Sequence, residues 1–283
     1  MISRRTGLIL IAPLALILVV FFLAPILLLV PLSFHKYDPG KGILTHVWTL
    51  ANYTQLVTDG YFREVIARTL ELGFAVTFAC LVLGFPLAYV IARGPERWRV
   101  PLIMLVIFPM MLNLVVRSFG WIALLANHGL INELLLRLDI VDRPVKLIYN
   151  FTGVMIGMTH IYLPFMVLML AAAIRNLPPD VEAAAATLGS GRTHVFFAVT
   201  LPLSAPGVLA GSILVFVLTI SALVVPRMLG GPAYTVMATL IYDEFMQLLD
   251  WPSGSALSFA LTFLAVGVIW ISGRLARRWA GAI

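Results

Sequence analysis

Arg175-Asn176-Leu177-Pro178-Pro179-Asp180-Val181-Glu182-Ala183-Ala184-Ala185-Ala186-Thr187-Leu188-Gly189-Ser190-Gly191-Arg192-Thr193-His194-Val195-Phe196-Phe197-Ala198-Val199-Thr200-Leu201-Pro202-Leu203-Ser204-Ala205-Pro206-Gly207 is the stretch that decides how this 283-residue chain is read. Pro178 and Pro179 stop any helix arriving from the apolar run before them, because proline lacks an N–H and crowds the preceding turn. Asp180 is placed to cap a new helix. Val181 to Leu188, with four consecutive alanines, is a strong helix former. Gly189 breaks it, Gly191 follows, and Thr193 to Val199 form a second short helix. Pro202 and Pro206 then lead into another apolar run. The pattern predicts a small-residue helix, a glycine turn and a second helix, a surface that another protein's backbone can approach closely.

On either side of this stretch the chain is unusually apolar. Hydrophobic residues make up 61% of it and charged residues 11%, against roughly 45–50% and ~25% in ordinary soluble domains. Such a chain lacks a charged skin, so lipid must be part of its solvent. Six runs approach the ~20 residues needed to cross a bilayer: 8–34, 66–92, 101–126, 152–174, 205–229 and a short one at 257–273. Turn-forming clusters separate them, among them Asp38-Pro39-Gly40, Gly94-Pro95-Glu96 and Gly230-Gly231-Pro232. The first run exceeds the ~7–15 residues of a signal-peptide core and no A-x-A site follows, so it reads as a retained anchor. The expected organisation is an N-terminal anchor and external segment (1–65), a core membrane domain (66–273) carrying the loop 175–204, and a tail (274–283).

The net charge of +6 is no nucleic-acid footprint, because the basic residues bracket apolar runs rather than cluster on a face. Ten of them (Arg4, Arg5, Arg93, Arg97, Arg99, Arg175, Arg192, Arg274, Arg277 and Arg278) fall on one side of the six-span topology, against three acids, Glu96, Asp180 and Glu182. The positive side is expected to be cytoplasmic and to hold both termini. Cys80, the single cysteine, excludes an intrachain disulfide and a CxxC metal site. The five histidines show no zinc-ligand spacing, and no Gly-x-Ser-x-Gly or metalloprotease His-Glu pattern suggests catalysis. The three lysines, Lys36, Lys41 and Lys146, are followed by Tyr37, Gly42 and Leu147, so no Walker A loop exists.

The loop resembles the cytoplasmic signature of permease subunits of binding-protein-dependent ABC importers, which runs EAA, three residues, Gly, nine residues, Ile, one residue, Leu-Pro. Counted from Gly189, Val199 takes the Ile position and Leu201-Pro202 the Leu-Pro position. The usual Glu position falls on Ala183, with Glu182 one residue early. Further stretches, Val116-Arg117-Ser118-Phe119-Gly120-Trp121 leading to Asn127-His128-Gly129-Leu130-Ile131-Asn132, and Pro226-Arg227-Met228-Leu229-Gly230-Gly231-Pro232, are similar to the spermidine/putrescine (PotB-like) permease type. The resemblance implies an all-α membrane protein with the type I ABC importer permease fold, non-catalytic, in a bacterial inner membrane. It implies that Asp180, Glu182, Ala183, Ala184, Gly189, Arg192, Leu201 and Pro202 form an ATPase-coupling segment. It also implies a second, PotC-like permease subunit, two ATPase subunits that hold ATP and Mg, and a periplasmic binding protein; this chain itself would bind no cofactor.

Solute-path candidates follow from the cost of charge in a membrane. Arg117 lies inside the third run, with Asn113 and Trp121 four residues to either side on one helix face. It either lines a path or anchors structure through an acid such as Glu71. Tyr242, Asp243 and Glu244, near Phe245, Asp250 and Trp251, combine carboxylates and aromatics suited to an organic cation. Gly153/Gly157 and Gly207/Gly211, each pair four apart, permit close helix packing. An ion-coupled secondary transporter is the alternative; it predicts more intramembrane acids and an internal repeat.

Overall fold

The computed structural model describes residues 12–38, 47–187 and 189–280, without the side chains of Pro179, Ala186, Arg192 and 275–280. Arg4, Arg5, the Pro39-Gly40 turn and Leu188 lie outside the described residues. Helices dominate: α1 (Ala12–Ser33), α2 (Ala51–Thr58), α3 (Gly60–Arg93), α4 (Glu96–Ile107), α5 (Leu114–Leu125), α6 (Leu130–Arg137), α7 (Phe151–Arg175), α8 (Pro179–Thr187), α9 (Arg192–Val195), α10 (Ala205–Ile220), α11 (Met237–Asp243) and α12 (Trp251–Ala280). A π turn, Phe196–Thr200, and the short Leu201–Leu203 helix carry α9 on toward α10. Among the described residues, five helical stretches are long and apolar enough to cross a membrane. The pair Thr193–Leu203 and Ala205–Ile220, bent by 66°, makes a sixth if it is one span.

Several of the expected runs differ from what forms. The third is broken: α4 passes into a 3-10 turn, Phe108–Met111, and the backbone is extended at Leu112 before α5 begins. Pro109 cannot donate within a helix, and the Asn113 side chain accepts from Val115 N at 2.8 Å, starting a fresh helix as its N-cap. The fifth run stops at Ile220, and Pro226–Gly230 forms a separate π turn. Gly231 follows at φ 56°, a conformation that favours glycine. The sixth begins earlier, at Trp251, because Asp250 caps it, accepting from Ser253 N at 2.9 Å.

The chain forms two compact units, Met1–Glu64 with Leu240–Ala260, and Val65–Thr239 with Leu261–Ile283. In the second, α7 is the central helix. Asn150 caps it (Gly153 N to Oδ1, 3.0 Å), and Val154, Met158, Met166, Val167, Leu170 and Ile174 are buried along it. The α10 helix packs on α7 where glycines remove the side chain. A Cβ on Gly207 would lie 2.1 Å from Ala173 Cβ, and one on Gly211 2.8 Å from Met166 Sδ. These glycines therefore serve packing within the chain. On its other flank α10 meets α3, with the Phe74 and Phe216 rings 4.9 Å apart. Cys80 of α3 is buried and its Sγ lies 3.6 Å from Thr159 O of α7.

In the first unit, Asn52 of α2 donates from Nδ2 to the carbonyls of Ser33 and His35, each at 2.9 Å, and Tyr53 OH donates to Ser33 Oγ at 2.8 Å. These bonds close the C-terminal end of α1. Tyr37 OH reaches Leu248 O at 3.1 Å.

Candidate functional site

The segment after α7 takes the predicted form. The α7 helix ends at Arg175, and after the Asn176 cap and Leu177 the chain enters α8 at Pro179. Asp180 is therefore not the N-cap but lies in the first turn. Proline is well tolerated at the first helical position, where an N–H has no partner anyway, so the helix starts two residues early. Asp180 and Glu182 still sit at the positive end of the helix dipole. Gly189 has φ 86° and open space around it, so it is the turn residue that a side chain would strain. Leu201 and Pro202 occupy the first positions of the Leu201–Leu203 turn. The backbone of Arg192 begins α9.

Asp180, Val181, Ala183, Ala184 and Thr187 of α8 are exposed, while Glu182 and Ala185 are half-buried. Asp180, Ala183, Ala184 and Thr187 follow the i, i+3, i+4, i+7 rule of one helix face, a face of short side chains, with Val181 beside it. Inward, Glu182 meets Arg93, the last residue of α3, with Nε–Oε2 at 3.2 Å. Thr200 Oγ1 donates to Glu182 Oε1 at 3.0 Å. Arg93 Nη2 also donates to Leu177 O at 3.0 Å. The Arg93 and Glu182 side chains are each only 16% exposed, and Thr200 is fully buried. Glu182 thus bonds within the chain, whereas Ala183, at the usual Glu position, faces out.

Asn113, Arg117 and Trp121 lie on α5 or at its cap. Trp121 Nε1 donates to His160 Nδ1 of α7 at 3.2 Å, which leaves the proton of a neutral imidazole on Nε2. Tyr162, two residues on, donates its hydroxyl to Leu218 O of α10 at 3.1 Å. The Arg117 Nε and Nη1 atoms are buried with no hydrogen-bond partner among the described residues. The pairing with Glu71 does not form; Glu71 is exposed on α3. Arg68, one turn earlier on α3, instead lies 5.7 Å over the Tyr234 ring.

Tyr242, Asp243 and Glu244 fall in the other compact unit, at the end of α11 and the start of a π turn, Glu244–Leu248. Glu244 is 7% exposed. Burial, together with the negative charges of Asp250 and Asp243, pushes its carboxyl up to about 7, opposed by a hydrogen bond from Ser253. Burial likewise raises Asp250. Asp250 N donates to Glu244 O at 2.9 Å across the left-handed Leu249, and the Phe245 and Trp251 rings meet edge to face at 5.8 Å. This acid and aromatic cluster is helical and in part interior rather than a solvated loop.

Sequence reasoning missed Arg93 and Thr200 as partners of the α8 segment; Arg93 counted only as a topology charge. It also missed a cleft of about 560 Å³ beside the end of α5, with Asn127, His128, Arg143, Lys146 and Tyr149 among its walls. Asn132, fully buried, shapes this region by donating to Ala126 O and Val145 O, each at 3.0 Å, and accepting from Val145 N at 2.9 Å.

A family model described as the binding-protein-dependent transport system inner membrane component matches residues 81–281. The chain is 35% identical over 261 residues to the spermidine/putrescine transport system permease protein PotB of Escherichia coli (strain K12), a match covering 91% of this chain and 94% of that protein. It is 31% identical to the inner membrane ABC transporter permease protein YdcU of the same organism, over 88% and 82% of the two chains. Among solved structures, a chain of the bacterial alginate ABC transporter in complex with an alginate pentasaccharide-bound periplasmic protein has the same fold. The TM-score is 0.76 at 18% identity, covering 97% of this chain and 96% of that one. The matched residues include the α8–Gly189–α9 segment, α7 and α10, and this chain belongs to the family of binding-protein-dependent transport system inner membrane components, as a multi-pass permease rather than an enzyme.

Proposed function

We propose that the chain is one of two permease subunits that together form the solute path of an ATP-driven importer for polyamines or a related small solute. The α8–Gly189–α9 segment, with its exposed face of short side chains braced on the bundle, carries the reading. It is built to sit in a groove of a partner ATPase, and two copies of that ATPase hold ATP and Mg. The second permease is PotC-like, and a periplasmic binding protein delivers the solute. The excess of arginines around this segment and at the termini puts that side, and both termini, in the cytoplasm. A path between two helix bundles opens by rocking one against the other. The polyamine assignment rests on the 35%-identical relative, and Asp243, Glu244, Asp250 and the neighbouring aromatics supply groups that suit an organic cation.

Co-expression with partner ATPase, permease and binding protein, followed by ATPase assays in nanodiscs, tests the reading. ATP hydrolysis stimulated by spermidine-loaded binding protein is the expected result. Stimulation only by another loaded ligand replaces the solute. Uptake driven by a proton gradient with no ATP requirement overturns the importer and favours an ion-coupled carrier.

A further inference from the structure

The α8 helix has nine residues, well below the ~12–15 at which an isolated helix becomes even marginal in water. Its outward face is exposed, so burial of apolar surface does little to hold it in place. Its covalent links are a Leu177-Pro178 entry and the open Gly189 turn, and neither is a stiff lever. What fixes it is polar. The Arg93 guanidinium uses one edge of its planar fork on Glu182 and another nitrogen on the Leu177 carbonyl, and such a fork sets direction as well as distance. Thr200 binds the same carboxylate from the π turn that continues α9. The three groups therefore tie α8 at once to the end of α3, a 34-residue membrane helix, and to the segment leading into α10. Because the pair is largely shielded from water, removing either partner strands the other charge.

We infer that Arg93 is a positioning residue for energy coupling: through Glu182, with Thr200 as the second tie, it makes displacement of α8 move α3 and the α9–α10 segment together. This rests on the reading of α8 as the ATPase-docking helix. A partner surface that pushes on Ala183 and Ala184 acts one and two residues away from Glu182, within a single helical turn. Without the tie, α8 would swing on its glycine joint, and ATP would be spent with little solute moved.

The test uses the assembled importer in proteoliposomes, with solute imported per ATP hydrolysed as the readout. Arg93→Met is expected to lower that ratio about tenfold, the scale of losing a shielded charged pair, and Glu182→Gln about threefold because Thr200 still has an acceptor. Arg93→Lys, which keeps the charge but not the fork, should recover part of the loss. The Arg93→Met/Glu182→Gln double variant should be no worse than Arg93→Met alone, since residues in one network are not additive. A purely structural role would reduce the amount of assembled complex and leave the ratio at the wild-type value; that result, or additive losses, overturns the inference. If Arg93→Met does not assemble, Glu182→Gln and Thr200→Val decide by the same ratio. A wild-type complex with no ATP-dependent uptake refutes the docking reading itself, and the inference with it.

Discussion

Helices α1 and α7 are both apolar enough to cross a membrane, yet they stand at opposite ends of the packing scale. The apolar window of α1 is the most hydropathic of the candidate spans, and none of it is buried within the chain. The window of α7 is less hydropathic, and 56% of it is buried. In water the more apolar helix would be the interior one. In a bilayer lipid is as good a solvent as leucine, so hydrophobicity no longer draws helices together, and close packing and hydrogen bonds do. The α7 helix offers Gly153, Gly157, Ala171 and Ala173, with Thr159 and His160 for polar contacts; α1 between Leu14 and Leu28 offers bulky aliphatics and phenylalanines.

The sharpest test of this contrast lies where α10 meets α7. Gly207→Leu would drive its first carbon into Ala173, and with backbone close behind, the loss should exceed the ~1–3 kcal/mol of ordinary overpacking. No folded protein should survive detergent extraction, as read by monodisperse recovery on a sizing column. Gly211→Ala makes a graded control: its contact is the flexible Met166 side chain, so the cost should stay below about 1.5 kcal/mol. Recovery of Gly207→Leu at the wild-type level would break the comparison.

Within the first compact unit, Glu244 provides a second test, because there burial acts on a charge rather than on shape. A carboxyl pushed up to about 7 from 4.5 binds its proton more tightly folded than unfolded. It therefore contributes stability below pH 4.5 that is lost as pH rises through about 7, an effect on the order of 1–3 kcal/mol. Melting in nanodiscs should be higher at pH 5.5 than at pH 8.5, and Glu244→Gln should flatten the difference. A smaller change is expected at Gly189, where Ala costs about 1 kcal/mol of backbone strain at positive φ; transport should fall by several fold with insertion intact, measured as uptake per inserted subunit. Smallest of all, Phe21→Ala in α1 should alter stability by less than about 0.5 kcal/mol, as for a surface change away from any special feature. A large loss there would mean that α1 packs against a partner subunit.

The spans were readable because a bilayer demands length and apolarity, which are local properties. The α8–Gly189–α9 segment was readable because Pro178-Pro179, the alanine run and Gly189 act on the backbone within a few residues. Less visible was the break in the third run: Leu112-Asn113 interrupts it within an otherwise apolar stretch, and only Pro109 and the capping Asn113 mark the place. The path candidates were legible as residue types but not as an arrangement. Asn113 is used as a cap and Trp121 is bonded to His160 of another helix, while Arg117 has two buried donors without partners among the described residues. Glu244 read only as one of several neighbouring carboxylates, because nothing local reveals that the π turn after α11 buries it.

The sequence by itself determined that this chain lives in a membrane, roughly where its apolar helices fall, which side carries the positive charge, and that a short helix, a glycine turn and a second helix follow the fourth run. Those conclusions depend on composition and on neighbours within a turn or two. Only the tertiary structure decided which face of α8 is presented and that Glu182 is committed to Arg93, 89 residues away in the chain. It also decided that the most apolar helix is the least buried. Hydrogen bonds and close packing join residues that sequence distance does not relate, and in lipid these, rather than hydrophobicity, choose which helices touch.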